Sequence, residues 1–350
     1  MKRHLLTVAI AAATLLPLTA QAAPSVYGRL NLSVDYMDAD AGKGTDGLWE
    51  LNSNSSRVGI RGNEKLNEEF TVVYKAEWTV NGDVGGADLS ARERYIGLKH
   101  FQWGAIRLGY IDSPFKNAED DVDVFNDLAN LDMQNFIYGQ NRLSNSINYV
   151  SPKFLDVFGA NISLQPGEKD GGADNSTCTV PLVPATPTKP LIPAYNPCEN
   201  HIADGISAAF SYEDDSLYLS LAMDKEITNM DAMRLNARYK MGEATLSAMF
   251  QTAEPSGNVA NAKQESIVLS GSYKMDAVTL RGQVLMSTEE TGAAGNEDET
   301  TLIGVGLDYN FTQNTKAFAH LAVGKEESSV GAVSTDTDAT YLGFGMETRF

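Results

Sequence analysis

Apolar and polar residues alternate with a period of two through segment after segment of this 350-residue chain. In the first such segment Val26, Gly28, Leu30, Leu32 and Val34 share one face, and Arg29, Asn31, Ser33 and Asp35 the other. Val72, Tyr74, Ala76 and Trp78 likewise oppose Lys75, Glu77 and Thr79, and Met233, Leu235, Ala237 and Tyr239 oppose Arg234, Asn236 and Arg238. The last segment sets Leu342, Phe344, Met346 and Phe350 against Glu347 and Arg349. Side chains of a strand point alternately to opposite faces, so this pattern specifies strands, and no helical period competes with it. With the less sharply phased segments 92–99 and 316–324 included, the sequence predicts sixteen strands.

The composition of the two faces decides what such strands build. A water-soluble sandwich would turn large apolar side chains into a packed core between two sheets. Here the second face carries Arg, Lys, Asn, Ser and Gln on nearly every strand, which suits an aqueous lumen. An even number of antiparallel strands of about ten residues, apolar outside and polar inside, fits an all-β transmembrane barrel. Connections alternate between short (63–69, 100–104, 151–155, 213–215, 240–243, 274–276, 312–314) and long (37–55, 81–91, 112–141, 166–204, 225–231, 254–264, 287–300, 325–339). Short turns belong on the periplasmic side and long loops outside, which makes both termini periplasmic. Tyr36, Trp78, Tyr110, Tyr149, Tyr212, Tyr239, Tyr273 and Tyr309 recur near strand ends, as the aromatic girdles of such barrels do.

The N-terminus reads as an export signal, with Lys2 and Arg3, an apolar run from Leu5 to Leu18, and Ala20-Gln21-Ala22 as the cleavage site. That run is too short to span about 30 Å of hydrocarbon at 1.5 Å per residue. Residues 1–22 are therefore expected to be a signal peptide and 23–350 one barrel domain. Past the signal, 25 Lys+Arg (27 minus Lys2 and Arg3) against 46 Asp+Glu give a net charge of −21, which argues against a nucleic-acid partner. Cys178 and Cys198 bracket a proline-rich segment of an exported chain and are expected to form one disulfide.

Segment 112–141 breaks the alternation, and ordered loops of that length are usually functional. Folded into the barrel opening, it brings Glu119, Asp120, Asp121, Asp123 and Asp127 into the lumen as the acidic side of a constriction. By parity, Arg29, Arg57, Arg61, Lys75 and Arg107 supply a basic wall across from it. Such an arrangement creates a transverse field and biases which ions pass. The alternative for the acidic run is a solvated loop face, and for the arginines wall residues that form salt bridges without governing flow; the position of the run after the fifth strand favours the constriction. Arg234, Arg238 and Arg281 leave an anion route open.

Specific runs resemble the general diffusion porins of Gram-negative outer membranes. Residues 56–66 (Ser-Arg-Val-Gly-Ile-Arg-Gly-Asn-Glu-Lys-Leu) resemble the family's strand and first periplasmic turn. Segments 91–99 and 108–115 resemble its fourth and fifth strands entering the third loop, and 145–152 its sixth strand and turn. The resemblance implies a sixteen-stranded barrel, usually a homotrimer, with the third loop folded inward. It also implies a C-terminal aromatic, here Phe350, read by the outer-membrane assembly machinery. The Pro-Glu-Phe-Gly-Gly run at the loop tip of enterobacterial porins is missing.

The expectation is thus an outer-membrane channel for ions and small hydrophilic solutes, mildly cation-selective. A substrate-specific anion or sugar channel is the alternative. With three histidines (His100, His201, His320) in the exported chain and no G-x-S-x-G or H-E-x-x-H run, no catalytic or metal site is expected. Divalent cations bound loosely at the acidic outer loops (Glu289, Glu290, Glu297, Asp298, Glu299, Asp336, Asp338) would bridge to lipopolysaccharide phosphates. Mass spectrometry of a non-reduced digest should recover Cys178 and Cys198 in one cross-linked peptide pair; two free thiols would refute the disulfide.

Overall fold

The computed structural model describes residues 24–40, 47–85, 89–167, 202–257, 262–292, 296–331 and 333–350. The expected signal segment and both cysteines of the expected disulfide lie outside the described residues. Seventeen hydrogen-bonded runs form one sheet, but Leu48–Ser53 and Arg57–Lys65 both pair with the first run and are pieces of one strand. The wall is therefore a sixteen-stranded antiparallel barrel.

In chain order, β1 is Ser25–Asp40, β2 the two pieces just named, β3 Phe70–Val80, β4 Leu89–His100 and β5 Gly104–Asp112. After the long third loop come β6 (Arg142–Val150), β7 (Phe158–Gln165), β8 (Gly205–Glu213), β9 (Leu217–Ile227) and β10 (Met230–Met241). The remaining strands are β11 (Ala244–Pro255), β12 (Ala262–Met275), β13 (Val278–Thr291), β14 (Asn296–Asn310), β15 (Thr315–Val330) and β16 (Val333–Arg349). Each pairs with its sequence neighbours, and β16 returns to β1 from Arg29↔Arg349 to Asp40↔Asp338. Phe350 completes the seam: its N–H donates to Gly28 O at 3.1 Å and its carbonyl accepts from Gly28 N–H at 2.8 Å. Its ring covers Gly28, where a Cβ would stand 2.4 Å from the ring edge. Closure gives every strand two hydrogen-bonded neighbours, so the wall has no free edge strand to face hydrocarbon.

The face assignment follows the alternation. Leu219, Leu235, Phe250, Leu269 and Val305 stand exposed on the outside, while Ser220, Asn236, Gln251, Ser270 and Asp308 are buried inside. Two bulges shift the phase. Between Gly109 and Ile111 the β5–β6 register slips, and Asn145 adopts a φ of +52°. The extra residue is on β6, so Leu143 turns inward, although alternation alone would put it on the outer face with Ile147 and Tyr149. It meets Ile111, which is in phase with Arg107, and both are buried at the root of the third loop. The other slip, between Ala76 and Trp78, lies opposite β4 and explains why segment 92–99 is poorly phased in the sequence.

Several expected long loops are instead strand extensions. β15 and β16 stay paired out to Val330↔Val333, and β13 and β14 out to Glu290↔Glu297. Rows of Thr, Ser, Lys and Glu carry these hairpins past the apolar band, and Gly331, at a φ of +63°, makes the β15–β16 turn. At the short-turn end, His100 stacks on Trp103 at 4.1 Å and Phe158 on Phe210 at 5.6 Å, forming the aromatic belt of one interface.

Replacing Leu219 or Leu269 with Arg should cost about 2–4 kcal/mol near the bilayer midplane. Urea unfolding in lipid vesicles measures this, and unchanged stability for both variants would reverse the face assignment.

Candidate functional site: the loop inside the barrel

The third loop leaves β5 at Ser113, whose hydroxyl caps a single helical turn, α1 (Pro114–Asn117), by accepting from Lys116 N–H at 3.0 Å. Proline at the first helical position suits that start. Asp120 and Asp127, at φ of +52° and +69°, bend the chain across the lumen. Asp132 caps a short 3₁₀ turn, Met133–Asn135, by accepting from Gln134 N–H at 2.8 Å.

What holds the loop is an apolar seat on the inner wall. Val122, Phe125, Leu128, Leu131, Met133 and Ile137 are buried against Met249, Val268, Leu285, Leu302, Phe318 and Ala322, which project inward from β11 to β15. Burying a side chain of this size is worth about 1.5–3 kcal/mol. Buried ion pairs roughly break even against their desolvation, so apolar burial dominates the anchoring. Polar clamps fix its register. Val124 N–H donates to Gln283 Oε1 at 2.9 Å, Tyr138 N–H to Gln264 Oε1 at 2.8 Å, and Ala129 N–H to Asn54 Oδ1 at 3.0 Å. Ser220 and Asn236 both donate to Ala118 O at 2.8 Å.

The five loop carboxylates are not equivalent. Glu119 is buried 3.1 Å from Arg234 Nη1 and accepts from Gln140, while Arg234 lies over the Phe115 ring at 4.3 Å. Burial pushes the Glu119 carboxyl up to about 7. Asp123 is buried inside the loop, accepting from Phe125 and Met133 N–H groups at 2.9 Å, and burial with Asp132 nearby raises its pKa. Asp127 bonds Arg29 at 2.7 Å and stands 3.9 Å from Arg57. Burial works against its charge, but these two guanidiniums hold it below the usual carboxylate range. Asp120 pairs with Arg238, and burial and neighbouring Asp121 push its carboxyl up. Asp121, its side chain 73% exposed and 3.4 Å from Arg238, is the one that projects freely into water.

The basic residues also divide. Arg29 is a clamp, buried between Asp127 and Glu347 (3.6 Å) and donating to the Asn54 and Ser55 carbonyls. Arg57 reaches the loop at Asp127. The structure does not bring the other three to the loop. Arg61 lies over the Tyr27 ring at 4.7 Å, Lys75 pairs with Glu93 at 2.6 Å and Glu77 at 3.5 Å, and Arg107 holds Asn148 Oδ1 at 2.6 and 2.9 Å. Arg234, Arg238 and Arg281, the suggested anion route, are loop clamps instead; Arg281 donates to Val124 O at 2.5 Å and pairs with Asp308 at 2.6 Å. A cavity of about 490 Å³ opens on the short-turn side of the loop. Six carboxylates line it (Asp120, Asp121, Asp123, Asp127, Asp308, Glu347) against four cations (Arg29, Arg281, Lys316, Arg349).

A closed strand wall with a lipid-facing exterior and a polar bore narrowed by an infolded loop defines a transmembrane channel of the porin class. The family model described as Gram-negative porin matches residues 7–329, and the chain belongs to that family of outer-membrane proteins. It is 24% identical to outer membrane porin protein 32 of Delftia acidovorans, over 95% of this chain and 92% of that one. The anion-selective porin from Comamonas acidovorans shares the fold at a TM-score of 0.72, with 19% identity over 94% of this chain and all of that one. OmpT of Vibrio cholerae, in its trimer form, does so at 0.65 with 16% identity, over 94% of this chain and 100% of that one.

Glu119 gives a pH test. Its ordinary pKa is 4.5, so in the docked loop it keeps a proton that the unfolded chain has released. The contribution of this group to stability is then fully present below about 4.5 and is lost as pH rises to about 7. Urea midpoints at about pH 5 and about pH 8 should show the drop, and Glu119→Gln should shrink it. An undiminished drop in that variant would place the titrating group elsewhere.

Proposed function

We propose that the protein is a diffusion porin, passing ions and small hydrophilic solutes through a water-filled bore with a modest preference for cations. The observation that carries this reading is the cavity beside the loop, whose lining sets six carboxylates against four cations, a formal excess of two negative charges. Asp123 counts for less because it is buried within the loop, so the preference is weaker than five acids in nine positions suggest. The partly exposed Arg57, 3.9 Å from Asp127, offsets part of that negative charge at the eyelet, the narrow passage beside the loop. The assembly proposed is a homotrimer in lipid and lipopolysaccharide, with divalent cations held loosely at the acidic outer hairpins. Phe350 is proposed as the signal for the barrel-assembly machinery.

A second reading, an anion-preferring or substrate-specific channel, has one observation in its favour. Arg61 and Arg107 line the opposite wall over tyrosine rings and form no ion pair among the described residues. Zero-current potentials in a salt gradient separate the two readings. At a Debye length of about 8 Å, charges close to the eyelet should dominate. Asp120→Asn with Asp121→Asn should move the potential towards anions, whereas Glu297→Gln with Asp298→Asn should barely move it. An unaltered channel that prefers anions would favour the second reading, and an equal shift from the outer pair would remove the eyelet from the account.

A further inference from the structure

We propose that Phe125, seated in a notch made by Gly304 and Gly306 on β14, sets the bore of the eyelet: the missing side chains on the wall fix how far the loop reaches into the lumen. Both glycines face inward under the loop, and an added Cβ would stand 2.8 Å from the Phe125 ring at Gly304 and 2.9 Å at Gly306. Neither has a positive φ, so backbone conformation does not call for glycine at either position. What calls for it is the approach of the ring, which is 1% exposed.

The ring has little room to move elsewhere. The Arg281 guanidinium lies 5.2 Å from its centre, and the same Arg281 is tied to Asp308, two residues beyond Gly306 on the same strand. Val124, next to the ring in sequence, is gripped at both backbone groups, its N–H by Gln283 and its carbonyl by Arg281. Phe125 therefore couples the wall to the arc Asp120–Asp127 that edges the cavity. Interiors packed this closely transmit displacement rather than absorb it. Filling the notch pushes the arc towards the pore axis and narrows the passage; removing the ring releases the arc and widens it.

This inference rests on the channel reading, and three variants test it beside the native protein in the full chain: Gly304→Ala with Gly306→Ala, Phe125→Ala, and the triple variant. Single-channel conductance in planar bilayers and uptake of sugars of graded size into proteoliposomes are the readouts, with heat-modifiable gel mobility confirming folded barrels. The double alanine variant should conduct less and exclude smaller sugars than the native channel. Phe125→Ala should shift the size limit upward, and the triple variant should recover the conductance that the double variant loses. The proposal is overturned if the double variant conducts like the native protein, or if the triple stays as low as the double. Should the double variant not fold, Phe125→Ala decides alone, and an unchanged size limit ends the idea. A native protein that does not conduct would instead sink the channel reading itself.

Discussion

Hydrocarbon offers peptide groups no water to bond, so a strand wall that crosses it must pair every N–H and C=O within itself. In this chain that constraint is met at the β1–β16 seam, where Phe350 lays its backbone on Gly28 and the sheet returns to its start. Much else follows from closure. Sixteen strands make a barrel too wide for its own side chains to fill, so the interior must be occupied by water or by a piece of the chain. The third loop is that piece. Its presence divides the inner wall into two territories with opposite requirements.

Where water stands, on β2 to β6, the wall is polar, with Arg57, Arg61, Lys75 and Arg107 inward. Where the loop sits, on β11 to β15, the wall carries Met249, Val268, Leu285 and Leu302 inward as well as apolar residues outward. The loop's carboxylates then serve two ends. Glu119 and Asp123 are consumed in holding the loop's shape, and Asp127 in tying it to Arg29. Asp120 and Asp121 remain at the eyelet edge, shared with Arg238. Counting acids in the loop therefore overstates the charge that a passing ion meets.

The strands were legible because a half-wet sheet forces period two, and the loop was legible because it lacks that period. Its charge roles were not, since parity says which face a side chain takes but not what it meets there. Of the proposed basic wall, Arg29 turned out to be a clamp, because the loop arrives at β1 rather than facing it across water. A signal for the docking seat did exist. At Ala248-Met249-Phe250, Ile267-Val268-Leu269, Val284-Leu285-Met286, Leu302-Ile303 and Leu321-Ala322-Val323 the alternation fails, with apolar residues at both parities on consecutive strands. Apolar residues facing inward on five adjoining strands mark where something other than water covers the wall. Leu143 misled for another reason: an extra residue between Leu143 and Ser146, opposite Gly109–Ile111, inverts the phase, and nothing in local composition announces it.

The central claim is that the loop is packed on the wall as firmly as the strands are paired, and hydrogen–deuterium exchange on the folded protein in detergent or lipid tests it directly. Amides of Val124, Phe125, Ala129, Met133 and Tyr138 bond to wall or loop acceptors and lie in a loop whose apolar side chains are buried. They should exchange as slowly as those of β11 to β14, far more slowly than the outer hairpin end at 329–331. Exchange of this stretch at the rate of the hairpin end would contradict the account, because a loop that opens freely could neither set the bore nor hold a charge pattern across it.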